Sequence, residues 1–142
     1  MKKKILIVNA NYYKDISNGL LSSALKSIPR LSKIKIIKVP GVFEIPVTIS
    51  KNLKKFDGFI ALGCVIKGQT PHFDFISQAS TQAIMNLSIT SKKPIGNGII
   101  TCLNMNQATA RKKKGAEAAS AIISVLSQKW KVSIVQKIIQ EL

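Results

Sequence analysis

The chain has 142 residues, of which 46% are hydrophobic, and its 22 Lys and Arg outnumber 6 Asp and Glu to give a formal net charge of +16. This length suits one domain spanning residues 1–142, and no apolar run approaches the ~18 residues that a membrane span needs. One His, two Cys far apart in the sequence and six scattered acids favour neither a metal site nor a disulfide framework, so we expect a cytoplasmic protein without metal.

The hydrophobic pattern alternates between strands and helices along the chain. In chain order it predicts a strand at Lys4–Asn9, a helix at Ile16–Ile28, a strand at Ile34–Val39, a helix from about Phe43, a strand at Phe59–Ile66, a helix at His72–Leu87, a strand at Ile95–Thr101, a short helix at Met105–Arg111 and a longer one at Gly115–Ser127, with an extension to Leu142 left open. This alternation predicts an α/β fold with three layers, in which helices cover both faces of a four-stranded parallel sheet. Ligands bind beyond the carboxyl ends of the strands in such sheets.

One predicted strand end leads to the single His of the chain. The strand at Phe59–Ile66 is followed by the polar turn Lys67–Thr70, and Thr70 is the predicted N-cap of a helix that has Pro71 at its first position. His72 then lies in the first helical turn, beside backbone N–H groups that can hold an anion. The corner predicts phosphate binding together with proton transfer, although a surface or capping His is the plainer interpretation of that residue.

The net charge raises the question of nucleic-acid binding. Of the 22 basic residues all but Arg30 and Arg111 are Lys, they are spread along the chain, and no aromatic residues interleave with their short clusters. A stacking platform for bases would need such aromatic residues, so a solvated Lys-rich surface is the better interpretation. No glycine-rich dinucleotide fingerprint, P-loop or serine elbow occurs either.

Four longer motifs follow one another in the order of a known family. Pro40–Pro46 matches P-G-x-[FY]-E-[IL]-P, Ala61–Asp74 matches A-L-G-x-V-I-[RK]-G-x-T-x-H-[FY]-[DE], Gly98–Thr101 matches G-[IV]-[IL]-T, and Lys114–Ala119 matches K-G-x-[ED]-A-A. On these motifs the chain resembles the lumazine synthase family from about residue 4 to residue 127. The resemblance implies the flavodoxin-like lumazine synthase fold.

The resemblance also implies a reaction and an assembly. Family members are transferases that condense 5-amino-6-(D-ribitylamino)uracil with 3,4-dihydroxy-2-butanone 4-phosphate to 6,7-dimethyl-8-ribityllumazine, with release of phosphate and water, in the penultimate step of riboflavin biosynthesis. They use no cofactor, and the product passes to riboflavin synthase. The implied assembly is a homopentamer with active sites between subunits, and the sequence leaves open whether pentamers build into a decamer or a 60-mer.

The matching positions carry site residues by resemblance. His72 is the implied general acid and base, Tyr12 the ring that stacks on the pyrimidine, and Glu44 a partner of the ribityl hydroxyls. The implied pyrimidine and ribityl contacts are Tyr12, Phe43, Glu44, Cys64, Val65, Ile66 and Asn97, the last reaching into a neighbour's site. The implied phosphate contacts are Gly68, Gln69, Thr70, Arg111 and Lys114.

One departure from the family concerns the phosphate contacts. Members usually have a longer loop between the matching Arg and Lys, whereas here only Lys112 and Lys113 separate Arg111 from Lys114. The shortened loop keeps a second interpretation open, that of an inactive paralogue that binds lumazine or flavin. A basic RNA-binding module is the less favoured alternative.

Overall fold

Strands and helices alternate in the computed structural model, which describes residues 2–128 and 138–142. In chain order they are β1 (Lys4–Ala10), α1 (Lys14–Lys26), β2 (Lys33–Val39), a one-turn 3-10 helix (Val42–Glu44), α2 (Ile45–Lys51), β3 (Gly58–Ile66), α3 (His72–Ser91), β4 (Ile95–Cys102), α4 (Met105–Ala110) and α5 (Lys114–Leu126). The predicted order is confirmed. α5 ends at Leu126, and residues 129–137 of its predicted extension lie outside the described residues.

The strands form one parallel sheet in the order β2-β1-β3-β4. Ile5 of β1 pairs with Ile34 of β2 on one side and with Gly58 of β3 on the other. β1 and β3 are the central strands and are buried along almost their whole length. Strands buried on both faces carry continuous apolar runs, which is why these two strands are clear in the sequence.

The two faces of the sheet have separate hydrophobic cores, so the predicted three layers are confirmed. On one face, side chains of α1, α4 and α5 such as Leu20 and Ile122 pack on Ile7. On the other face, the 3-10 helix, α2 and α3 cover the sheet, and Ile45 packs with Leu6. Because all four strands run the same way, their carboxyl ends share one edge, and the loops that follow them form the surface where a ligand is expected.

α1 and α5 pack unusually closely, and this contact fixes the corner between α4 and α5. A β-carbon on Gly115 would lie 2.0 Å from the carbonyl oxygen of Leu20, so any larger residue would force the helices apart. The Ser23 hydroxyl of α1 donates to the carbonyl of Lys112 at 2.8 Å and accepts from the backbone N–H of Ala116 at 3.1 Å. The corner therefore has a defined position on the rest of the fold.

Among the described residues, none of the helices combines the length and the apolar character that crossing a membrane requires.

Candidate active site

A cavity of about 540 Å³ opens at the carboxyl edge of the sheet, between the ends of β1 and β3, the 3-10 helix and the start of α3. Its lining residues are Tyr12, Tyr13, Gly41, Val42, Phe43, Glu44, Cys64, Val65, Ile66, His72 and Ile76. Mostly apolar walls with a few polar groups, in this range of volume, are typical of a small-molecule site. The structure thus brings together seven of the residues predicted from the sequence: Tyr12, Phe43, Glu44, Cys64, Val65, Ile66 and His72.

Two tyrosines follow β1 and form one wall of the cavity. The Tyr12 ring is 74% exposed and meets the Tyr13 ring edge to face, with 4.9 Å between the ring centroids and 79° between the planes. Such a contact orients Tyr12 while leaving a ring face free for a flat ligand. Tyr13 was not predicted as a site residue, and its position next to Tyr12 is the signal that could have found it.

The 3-10 helix supplies the opposite wall. Val42 is buried, whereas Phe43 is exposed and Glu44 half-buried. The start predicted for the second helix, at about Phe43, is wrong for the α-helix, because α2 begins only at Ile45. Pro46 lacks a backbone N–H, so the carbonyl of Val42 has no α-helical donor and the preceding turn closes in 3-10 fashion, with the Glu44 N–H donating to Gly41 at 3.2 Å.

His72 is the first residue of α3 and lies on the rim of the cavity with an exposed side chain. The predicted cap differs by one residue: Pro71 occupies the N-cap position, and its own side chain makes no capping hydrogen bond. The Thr70 hydroxyl accepts a long hydrogen bond of 3.5 Å from the His72 backbone N–H. At that distance the bond is at its geometric limit, so the turn before α3 is held weakly.

The predicted phosphate turn, Gly68 to Thr70, is exposed and lies beyond the residues that line the cavity. A β-carbon on Gly68 would meet no other residue within 4 Å, so the turn borders open space. An anion can therefore approach the backbone N–H groups of this turn without displacing protein atoms.

A second cavity, of about 450 Å³, lies at the carboxyl end of β4 and contains the predicted basic residues. It is lined by Ile99, Ile100, Thr101, Ala110, Arg111, Lys113, Lys114 and Glu117, and it shares no residue with the first cavity. Asn97 lies apart from both, exposed on the edge strand β4, where its side-chain oxygen accepts from the Ile99 N–H at 3.0 Å. A single chain therefore does not bring Asn97, Arg111 or Lys114 to the cavity of His72.

The two cysteines are far apart in the sequence but lie in the same core, on the neighbouring strands β3 and β4. Burial, with a smaller contribution from Cys102, raises the pKa of the Cys64 thiol to about 12. Burial also raises the pKa of Cys102, partly offset by the Arg111 cation. Both cysteines are free, and thiols with raised pKa values stay protonated and unreactive at neutral pH. Cys64 therefore shapes the cavity wall and does not serve as a nucleophile.

The described residues contain no group of three His, Cys, Asp or Glu side chains placed to hold a metal ion. The polar side chains that line the first cavity include the imidazole of His72, the carboxylate of Glu44 and the phenol hydroxyls of Tyr12 and Tyr13.

Sequence comparison identifies the family that has this arrangement. The sequence model of the 6,7-dimethyl-8-ribityllumazine synthase family matches residues 2–129. The chain belongs to the 6,7-dimethyl-8-ribityllumazine synthase family. The family predicted from the four motifs is confirmed, and the lumazine synthase fold expected from them agrees with the three-layer parallel sheet.

Two similar relatives show how far the likeness to lumazine synthases extends. The 6,7-dimethyl-8-ribityllumazine synthase of Agrobacterium fabrum (strain C58 / ATCC 33970) is 40% identical over an alignment 144 residues long. The alignment covers 92% of this chain and 97% of that protein. The protein of the same name from Bartonella tribocorum (strain CIP 105476 / IBS 506) is 39% identical over 140 residues, covering 91% of this chain and 93% of the relative. The likeness therefore spans nearly the full length of both chains.

Proposed function

We propose that this member of the lumazine synthase family condenses 5-amino-6-(D-ribitylamino)uracil with 3,4-dihydroxy-2-butanone 4-phosphate to give 6,7-dimethyl-8-ribityllumazine, phosphate and water. The protein is then a transferase of riboflavin biosynthesis, and its product is the substrate of riboflavin synthase. The observation that carries the proposal is the first cavity, where an exposed aromatic ring, a carboxylate and the single His of the chain line one pocket at the carboxyl edge of the sheet.

The pyrimidine substrate fits the wall formed by Tyr12 and the end of β3. The exposed face of Tyr12 can stack on the flat ring, and Val65 and Ile66 offer apolar contact beside it. Phe43 and Glu44 face the same space from the 3-10 helix. The Glu44 carboxylate is an acceptor for ribityl hydroxyls, and such charged hydrogen bonds are stronger than neutral ones.

His72 is the proposed general acid and base. The amine of the pyrimidine attacks the ketone and loses water to form an imine; loss of a carbon-bound proton then expels phosphate. The enol left by this elimination tautomerises to a ketone, and the nitrogen that bears the ribityl chain attacks this new carbonyl and closes the second ring with loss of a second water. Each step moves a proton, and the imidazole on the cavity rim is the side chain suited to accept and return it near neutral pH.

The phosphate group is proposed to lie between the turn at Gly68, Gln69 and Thr70 and basic residues of a neighbouring subunit. Arg111 and Lys114 were assigned to this group from the sequence, and Asn97 to the neighbour's ring site. Their separation from the first cavity supports a composite site, because the basic cavity and the His72 cavity share no residue within one chain. A forked guanidinium such as Arg111 is well suited to a phosphate.

The assembly that joins these halves is proposed to be a homopentamer in the cytoplasm. Support comes from α3, which has no Lys or Arg in its 20 residues although the chain has 22 basic residues. Phe75, Met85 and Ile89 are nevertheless 66%, 57% and 67% exposed on it. A helix without basic residues that exposes large apolar side chains is typical of a surface that another chain covers.

The experiment that tests the function is the formation of lumazine fluorescence when the purified protein is mixed with both substrates. We expect product to form without added metal or cofactor. If the protein binds lumazine or flavin but forms no product, the proposal is wrong and the protein is an inactive paralogue that carries these ligands. If the protein forms no product but binds RNA with an affinity that falls steeply as salt increases, it is instead a basic RNA-binding module.

A further inference from the structure

Four consecutive basic residues form the corner between α4 and α5, and the structure gives them different surroundings. Arg111, Lys113 and Lys114 line the basic cavity at the end of β4, whereas Lys112 does not. The corner is held in place by the Ser23 hydrogen bonds to Lys112 and Ala116. The four side chains therefore leave a fixed backbone in defined directions.

Two of the cations in the basic cavity already have partners. The Lys114 Nζ lies 2.9 Å from a carboxylate oxygen of Glu117, one helical turn further on. The Arg111 Nη1 donates to the carbonyl of Gln107 at 3.0 Å, which uses one of the five guanidinium donors, and the others have no hydrogen-bond partner among the residues that the structure describes. The attraction of Lys114 for an anion is therefore reduced by a carboxylate, while Arg111 keeps most of its binding capacity.

Lys112 points to the other side of the corner. A β-carbon added to Gly19 of α1 would come within 2.5 Å of Cδ and 2.9 Å of Cγ of Lys112, so the aliphatic stem lies directly on that glycine. The residue lines a different hollow, together with Lys14 and Thr109. Lys112 is thus kept away from the basic cavity by its packing on α1.

Lys113 is the remaining cation. It is exposed, it lines the same cavity as Arg111, and in the part of the chain that the structure describes no carboxylate lies within salt-bridge distance of it. A flexible ammonium with three donors complements the forked guanidinium beside it. Only two residues separate Arg111 from Lys114, and the second of them, Lys113, lines the cavity.

We propose that Lys113, rather than Lys114, is the lysine that binds the phosphate group of the butanone substrate together with Arg111. The proposal rests on the function proposed above and changes the assignment made from the sequence motif. A phosphate monoester carries close to two negative charges at neutral pH, and Arg111 and Lys113 offer two positive charges, neither of which has a carboxylate within salt-bridge distance among the described residues. Lys114 is then a structural residue that pairs with Glu117.

The test uses steady-state kinetics of the assembled protein, with each substrate varied in turn. Lys113→Ala should raise KM for the butanone phosphate about tenfold, as expected for a lost charged hydrogen bond, and leave KM for the pyrimidine within about twofold. Inorganic phosphate should inhibit the variant correspondingly less. Lys112→Ala is the matched control, with the same change of charge at the adjacent position, and should leave both KM values within about twofold.

Three outcomes overturn the proposal. One is a Lys113→Ala variant with unchanged kinetics while Lys114→Ala raises KM for the butanone phosphate. Another is an equal rise in both KM values, which would indicate general electrostatic attraction. The third is a Lys112→Ala variant whose KM for the butanone phosphate rises as much as that of Lys113→Ala. Lys113→Met keeps the aliphatic stem and is measured in parallel, so that a folding defect in one variant still leaves a readout. Absence of product from the unaltered protein would instead refute the proposed function.

Discussion

Val42 packs directly on Gly63: a β-carbon on Gly63 would lie 2.7 Å from Cγ2 of Val42. The same β-carbon would lie 3.2 Å from Cβ of Ala10, so there is no free space on either side. The 3-10 helix can rest on β3 only because position 63 has no side chain. This contact sets the distance between the two walls of the first cavity, because Phe43 and Glu44 follow Val42 and Cys64 follows Gly63.

Gly63→Ala should therefore damage both stability and pyrimidine binding. We expect a loss of about 1–3 kcal/mol in the free energy of unfolding, as for other overpacked cores, and a higher KM for the pyrimidine as the 3-10 helix moves outward. Urea unfolding and lumazine fluorescence measure the two effects. Gly68→Ala is the control for stability, because nothing lies within 4 Å of that position. Equal stability of the two variants would show that Val42 can move aside and accommodate the added methyl group.

His72→Ala should lower kcat by about one to two orders of magnitude, at or below the usual effect of removing a general acid and base, because an amine and a ketone have an intrinsic reactivity that does not depend on His72. KM for both substrates should change little, since the imidazole lies on the rim of the cavity and other residues form its walls. The measurement is the initial rate of lumazine formation at saturating substrates. Asp74→Asn changes another exposed group in the same helical turn and should keep normal turnover. A fully active His72→Ala variant would remove His72 from the mechanism.

The raised pKa of Cys64, about 12, makes stability depend on pH in the alkaline range. In the unfolded chain the thiol ionises near its ordinary pKa, whereas the folded protein keeps the proton. Stability from this group is therefore complete below about pH 8.5 and is lost as pH rises towards the folded value, by at most ~1.4 kcal/mol per pH unit. Urea unfolding at pH 8 and pH 10.5 measures the loss. Cys64→Ala should show a smaller loss over the same interval, and an identical loss would contradict the raised pKa.

Met85→Lys should dissociate the assembly and abolish activity together. Met85 is 57% exposed on α3, so a lysine there costs an isolated chain little, but it introduces a charge into the proposed contact between chains. Sedimentation measures the assembly and fluorescence the turnover. Leu31→Lys is the matched control, because Leu31 is 64% exposed and lies outside α3. A variant that sediments as an active monomer would refute the composite site.

Most of the fold was predictable because its determinants are local in sequence. The buried runs of β1 and β3 and the helical spacing of α1 and α5 follow from periodicity alone. α3 was predicted to end at Leu87, where its apolar periodicity fades, yet it continues to Ser91. It ends there because Lys92 adopts a left-handed conformation, with φ of 58°, shortly before Pro94. A left-handed Lys has no signal in the sequence comparable to that of a glycine.

The candidate site was predictable in part, for a similar reason. Tyr12, Phe43 and His72 lie in segments that each follow a strand, and parallel strands bring their ends to one edge. The direction of Lys112 was not predictable, since it depends on Gly19, a residue far away in the sequence that leaves room for its stem. Nor could the motifs show that Lys114 pairs with Glu117, which depends on side-chain geometry.

In the proposed composite site, each subunit contributes its His72 cavity at one boundary and its basic cavity at another, because the two cavities share no residue within one chain. A closed ring of head-to-tail contacts would bring the basic cavity of each subunit to the His72 cavity of the next, so that no site in the ring is left incomplete. Activity should then recover when two impaired proteins are combined: a His72 variant and an Arg111 variant, mixed before assembly, place an intact His72 beside an intact Arg111 at some of their shared boundaries.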